Sequence, residues 1–161
     1  MVTLLCVCVY YRLLDQKEEV DETFYKQLKV ALQSLLLVLM GDFNHSDICW
    51  ISNTARNTRS SWFLKCTDNN FLMQVVEELT RGDGLLDLVF TQKEGQVWDV
   101  EVWGSLGCSD HEMVDFKTLC ERSKAMNKIA TLASEEPTLT SSKTYLEVFY
   151  GLEHWKVRGS M

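Results

Sequence analysis

Proline is almost missing. The chain has one, Pro137, in 161 residues, where average usage of about 5% would give roughly eight. No C-x-x-C pair occurs among its 6 cysteines, which excludes zinc-ribbon and thioredoxin-like readings. No apolar run approaches the roughly 20 residues of a membrane-spanning helix; Leu35 to Met40 falls far short, so no membrane partner is expected. Basic charge is scarce too, with 16 Lys and Arg against 23 Asp and Glu and a net charge of −7. The balance is uneven: residues 119–161 hold six basic and five acidic side chains, leaving ten and eighteen for the first 118. That excludes binding of nucleic acid through bulk positive charge. It does not exclude a nuclease, because metal-dependent sites concentrate carboxylates.

What is present belongs to an ordinary globular chain, 46% apolar and 24% charged,. The apolar stretch from Met1 to Tyr11 has no basic flank and no small-residue cleavage pattern. It reads as a strand rather than a signal peptide, and an intracellular, unsecreted protein with reduced core thiols is expected. Cys6 and Cys8 are two apart and share one face of that strand. From Glu22 to Leu35 the residues Phe24, Leu28, Ala31, Leu32 and Leu35 recur at helical spacing, with Asp21 as N-cap,. Leu36 to Met40 is an apolar strand stopped by Gly41. Strand, helix and strand in that order point to an α/β or α+β layered fold.

A polar loop follows from Asp42 to Asn57. A short helix, capped by Ser60 or Ser61, runs to Cys66, and strands are expected at Phe71–Val76, Leu85–Thr91, Val97–Trp103 and Met113–Leu119,. Val97–Trp103 alternates, with Val100 and Val102 on one face and Asp99, Glu101 and Trp103 on the other. Residues 48–67 contain Arg56, Arg59 and Lys65 and no acid. After Leu119 the residues 120–143 are rich in Ser, Thr, Lys and Glu and read as a linker. One amphipathic helix is expected over 145–155.

Three places set chemically capable residues at the edge of an apolar strand. Gly41-Asp42-Phe43-Asn44 ends the strand LLLVLM. Asp42 and Asn44, two apart, can face one side, where a carboxylate takes a proton from water that a carboxamide holds. Asp87 sits inside LLDLVF, and a buried acid must have a partner. Ser109-Asp110-His111 supplies His111 as that partner, a pairing that sets the imidazole tautomer and raises its basicity. Each place alone also has a plain reading: a turn, a capped bulge, a loop histidine. The ordered set raises the catalytic one. His45 and His154 carry no assigned role. Magnesium suits such a site better than zinc, since it prefers oxygen ligands and takes only one or two carboxylates.

The order GDFN, LLDLVFT, SDH resembles the C-terminal half of the endonuclease/exonuclease/phosphatase superfamily, the fold of DNase I. The wider text VYYRLLDQKEEVDETFYKQL, LVLMGDFNHSDICW, FLKCTDNNFLMQVVEELTR and GSLGCSDHEMVDF is similar to the endonuclease of an avian LINE, a non-LTR retrotransposon of the chicken-repeat clade. The likeness spans about residues 2–119. It implies half of a two-sheet β-sandwich flanked by helices, with 120–161 as a tail. It implies hydrolysis of a DNA phosphodiester with one Mg2+ or Mn2+, in the nucleus, to prime an accompanying reverse transcriptase. Asp42 would orient or deprotonate water, Asn44 would hold it, and His111 would bind the scissile phosphate. Asp87 would orient His111, Asp110 would lie beside the metal, and Tyr11 would touch the phosphate. Arg56, Arg59 and Lys65 would touch the DNA backbone.

The family domain also carries an N-terminal half with a metal-binding Glu that has no counterpart here. Where relatives read YYRPP, HPD and EEPTR, this chain has Leu13-Leu14, Ser46 and Leu79, each reachable by single C-to-T changes. The expectation is therefore a truncated, inactive copy. The alternatives are a relic with no activity of its own, or a phosphodiesterase or phosphatase of the same fold acting on another substrate.

Overall fold

A computed structural model describes residues 5–33, 36–105, 108–120, 129–131, 144–150 and 156–159. The chain is α+β. It opens with β1 (Leu5–Tyr11), α1 (Glu18–Ala31) and β2 (Leu36–Asp42). The two strands pair in parallel from Leu5↔Leu36 to Tyr11↔Asp42. Parallel neighbours need a crossover, and α1 supplies it. The helix starts one turn earlier than its apolar spacing suggests, because Glu18, Glu19 and Asp21 all complement the positive end of its first turn,. Asp21 is therefore not the N-cap. Lys17 holds that position without a side-chain cap. Asp21 is buried instead against Arg12, which donates to it from Nε at 3.0 Å and Nη2 at 3.2 Å.

A two-residue pair, β3 (Ile48–Cys49) and β4 (Thr54–Ala55), precedes α2 (Thr58–Asn69). Neither Ser60 nor Ser61 caps α2. Asp47 accepts from the backbone N–H of Arg56 and Asn57 and so closes the turn before them. Asn57 then becomes the cap, accepting from Ser60 N at 2.8 Å,. The strand expected at 71–76 shrinks to β5 (Met73–Gln74). Phe71 N and Leu72 N are still bonded back to Asp68 and Thr67 at the end of α2.

The remaining strands are β6 (Asp87–Thr91), β7 (Val97–Trp103), β8 (Met113–Cys120), β9 (Ile129–Thr131), β10 (Thr144–Tyr150) and β11 (Lys156–Gly159). The helix expected over 145–155 is a strand over 144–150, and 151–155 lie outside the described residues. Tyr145, Val148, Phe149 and Tyr150 suit a strand, and β10 pairs along the whole of β8 from Thr144↔Cys120 to Tyr150↔Val114,. The expected linker 120–143 contains β9, which adds to β1 in parallel.

One sheet has the order β5-β6-β2-β1-β9 and the other β11-β10-β8-β7. Alternation along β2 divides its side chains between two apolar clusters. Val38 and Met40 join Val7, Val89, Val97, Val114 and Phe116, a cluster drawn from both sheets. Leu37 and Leu39 join Phe24, Leu28, Phe43, Phe63 and Phe90, a cluster drawn from one sheet and both helices. Sheet, sheet and helices are thus layered, with the first sheet in the middle. Cys6 and Cys8 do share a face, Sγ to Sγ 3.5 Å. Cys49 and Cys108 are exposed and are not core thiols, since both lie in turn-bearing segments rather than on a packed face.

Candidate functional site

The site begins with the close approach of β1 and β2. Gly41 has φ +145°, and a Cβ there would sit 1.7 Å from the Tyr10 carbonyl oxygen. Only glycine lets β2 run on through this contact to Asp42. Beyond it, Phe43 turns to the helical layer and is fully buried. Its ring lies 5.1 Å from Phe63, 5.4 Å from Phe90 and 5.5 Å from Tyr10. The GDFN segment is thus no surface turn. Phe43 anchors it from behind, and Asp42 faces the layer between the sheets.

Asp42 pairs across the sheet with Asp87 and, on its other side, with Tyr11. Paired residues share a face, so all three side chains stand on the inter-sheet side. Asp42 is fully buried, and Asp87 is 2% exposed. Asn44 donates to Asp42 twice, from its backbone N at 3.0 Å to Oδ1 and from Nδ2 at 3.1 Å to Oδ2. Nδ2 also donates to the Arg12 carbonyl at 2.7 Å. This grip holds Asn44 at φ +50°, a left-handed conformation that asparagine tolerates. The Asn44 Oδ1 is buried and makes no protein hydrogen bond.

His111 arrives from the other sheet, just before β8. Its Nδ1 is 3.0 Å from Asp87 Oδ2. An ionised Asp87 carboxylate only accepts, and Nδ1 then carries the proton of this bond. Nε2 lies 3.8 Å from Asp42 Oδ2 and 3.7 Å from Asp110 Oδ1. The pairing of His111 with Asp87 expected from the residues is therefore present. The three donors of Asp42, Asp87 and His111 lie within 4.8 Å of one another.

Burial pushes the Asp42 carboxyl up to about 6, helped by the like charge of Asp87 and opposed by His111, Asn44 and Arg81,. Burial raises Asp87 as well, opposed chiefly by its hydrogen bond with His111. Asp110 is different. It is exposed, and the Arg81 guanidinium, with Nε at 2.7 Å and Nη2 at 2.6 Å from Oδ2, holds its carboxyl below the usual range.

Tyr11 is exposed at the same sheet edge. The three basic residues of 48–67 lie on or just before α2, in the helical layer. Arg56 and Lys65 are exposed, and Arg59 donates to the Gln16 carbonyl at 2.7 Å. Among the described residues none of the three touches the carboxylate–imidazole cluster. His45 is buried, stacked 4.6 Å from Phe63, with Nδ1 on Ser60 Oγ at 2.9 Å. His154 lies outside the described residues.

Sequence reasoning missed three residues here. Arg12 carries the backbone that Asn44 grips, and its N–H bonds the Asp42 carbonyl at 2.8 Å. Thr80 and Arg81 join the strand edge to the loop bearing His111. The only linear signal for the last two was their place before the turn Arg81-Gly82-Asp83-Gly84. The chain matches no protein-family model, no curated protein and no solved structure.

Proposed function

We propose that this site hydrolyses a phosphodiester and that the substrate is double-stranded DNA. The observation that carries the reading is the relay Asp87, His111, Asp42, in which a buried acid orients an imidazole whose Nε2 faces a second acid. That is the arrangement of an oriented base and phosphate binder, with a water-activating carboxylate beside it. The resemblance of GDFN, LLDLVFT and SDH to DNase I-like endonucleases of non-LTR retrotransposons supports the choice of DNA.

In this reading Asp42, ionised above a pH of about 6, takes the proton of the attacking water, and Asn44 holds that water. His111, in the form protonated at both nitrogens, donates from Nε2 to the scissile phosphate and stabilises the charge that grows on it. Asp87 keeps the ring in its tautomer. Tyr11 touches the phosphate from the neighbouring strand, and Arg56, Arg59 and Lys65 touch the DNA backbone farther out.

The donor set suits one Mg2+ or Mn2+. Asp110 is an exposed carboxylate kept ionised by Arg81, the buried Asp87 Oδ1 has no protein hydrogen bond, and magnesium completes its shell with water and phosphate. Bound there, the ion supplies Lewis-acid polarisation of the phosphate. In an intact element the cut would prime a reverse transcriptase in the nucleus.

A second reading is a chain without activity of its own. One observation favours it: the oxygens are largely engaged, Asp42 by Asn44 at both, Asp87 Oδ2 by His111 and Asp110 Oδ2 by Arg81. Plasmid nicking by the purified chain decides. With Mg2+ the expected result is relaxed circles, lost in EDTA and reduced about 100-fold or more in His111→Ala, the range for a general acid or base. A folded sample that does not nick, or nicking that survives His111→Ala, overturns the proposal.

A further inference from the structure

We propose that Thr80 is a positioning residue that sets the distance between Asp87 and His111; the inference rests on the reading of His111 as the reacting imidazole.

Thr80 is fully buried, yet nothing in its packing calls for a hydroxyl, since valine has the same shape. A buried hydroxyl is costly unless it is bonded. Here Oγ1 accepts two backbone N–H groups, from Leu86 at 3.1 Å and Asp87 at 2.9 Å. These two amides engage both lone pairs of the hydroxyl oxygen,. The same residue's carbonyl accepts from Glu112 N at 2.8 Å, and Glu112 directly follows His111. Thr80 N donates in turn to the Gly84 carbonyl at 3.0 Å, which braces the residue against its own turn.

The contacts close a ring. Thr80 holds Asp87 through its side chain and the His111 segment through its backbone, and Asp87 Oδ2 meets His111 Nδ1 at 3.0 Å. Asp87 belongs to one sheet and His111 leads into the other. Packing between sheets is non-directional and does not by itself fix the distance between two such residues. One residue tied to both removes that freedom. Leu86 extends the ring to the other acid, because its carbonyl accepts from Phe43 N at 2.9 Å. Arg81 adds a tie on the far side of His111 through Asp110.

The test compares Thr80→Val, which keeps the shape, with Thr80→Ser, which keeps the hydroxyl, in the full chain. Two readouts need no activity: amide exchange at Leu86 and Asp87, and the His111 tautomer from ring 15N shifts at one fixed pH. In Thr80→Val we expect faster exchange at those two amides than at Val89, and a His111 ring that is no longer held as the Nδ1–H form. Thr80→Ser is expected to restore both. Nicking is expected to fall 10- to 100-fold in the valine variant, as when an outer partner of a site residue is lost.

A folded Thr80→Val with the parent tautomer overturns the proposal, since Thr80 would then be structural only. If the valine variant does not fold, Thr80→Ser decides: the parent tautomer with protected Leu86 and Asp87 amides supports the proposal, and a lost tautomer overturns it. Absence of nicking in every protein, the parent included, bears on the proposed function and leaves the tautomer result to judge Thr80.

Discussion

Asp42 works against the stability of the strand that ends in it. It is fully buried beside a second buried acid, and burial with that like charge lifts its carboxyl to about 6. Relative to an exposed aspartate, the ionised form at pH 7 costs the fold on the order of 2–3 kcal/mol. That cost is what remains after hydrogen bonding from Asn44 has lowered it. Asp42→Asn removes the charge and keeps the shape, at the loss of one acceptor worth about 1 kcal/mol. The variant is expected to be more stable than the parent at pH 7 by about 1 kcal/mol, with the advantage gone at pH 5, where the parent carboxyl is already protonated. Urea unfolding at the two pH values checks it. An Asp42→Asn protein less stable than the parent at pH 7 would mean that the contacts of the carboxylate outweigh its burial, and would refute the account. Such a trade, stability given up at a reacting group, is common at functional sites.

At the scale of elements, the end of β2 is set by one backbone crossing. Gly41 at φ +145° leaves 1.7 Å between a would-be Cβ and the Tyr10 carbonyl oxygen. Gly41→Ala must push β1 and β2 apart where Tyr11 and Asp42 pair. The expected loss is several kcal/mol, on the order of 3 or more, read as a drop in urea midpoint. Arg12 N to Asp42 O is the next rung, so the Asn44 grip goes with it. Gly82 is the contrast. Its φ of +53° favours glycine, but a Cβ there meets nothing within 4 Å. Alanine at 82 is therefore expected to cost about 1 kcal/mol, the backbone preference alone.

For the whole molecule, acid stability sets the buried acids Asp42 and Asp87, both raised by burial, against His45 on the opposite face of the first sheet. Burial lowers His45 from 6.5 to about 4, with Arg12 adding to it. Its folded pKa is depressed, so between about 6.5 and 4 the unfolded chain binds more protons, and stability falls as pH falls through that window. Asp42 is raised from 3.8 to about 6. There the folded chain binds more protons, and stability rises as pH falls from about 6 to 3.8. Each is worth on the order of 3 kcal/mol, with opposite sign. The parent is expected to show a shallow profile from pH 6 to 4. His45→Gln should leave the Asp42 trend, more stable on acidification. Asp42→Asn should leave the His45 trend, less stable on acidification. Unfolding free energies at pH 6.5, 5 and 4 for the three proteins test the signs, and parallel profiles would refute the account.

Linear pattern was enough for β1, β2, β6, β7 and β8 and for the pairing of Asp87 with His111. Residues 99–103 alternate as their side chains dictate, beside a register shift between Trp98 and Glu101, and an acid inside LLDLVF must find a partner once buried. Pattern failed where two periods fit the same apolar residues, as over 144–150, and pairing with β8 made a strand. It failed at helix starts, where Asp21 and Asn57 were chosen by contacts with Arg12 and Asp47 rather than by propensity. What the sequence by itself determined is therefore the α+β class, most strands and the chemical types at the strand ends. Only the tertiary structure decided that Asp42 and Asp87 stand opposite each other, that Arg81 engages Asp110, and that Thr80 ties the two sheets together. These contacts join residues far apart in the chain or backbone groups that every residue carries, so no local spacing encodes them.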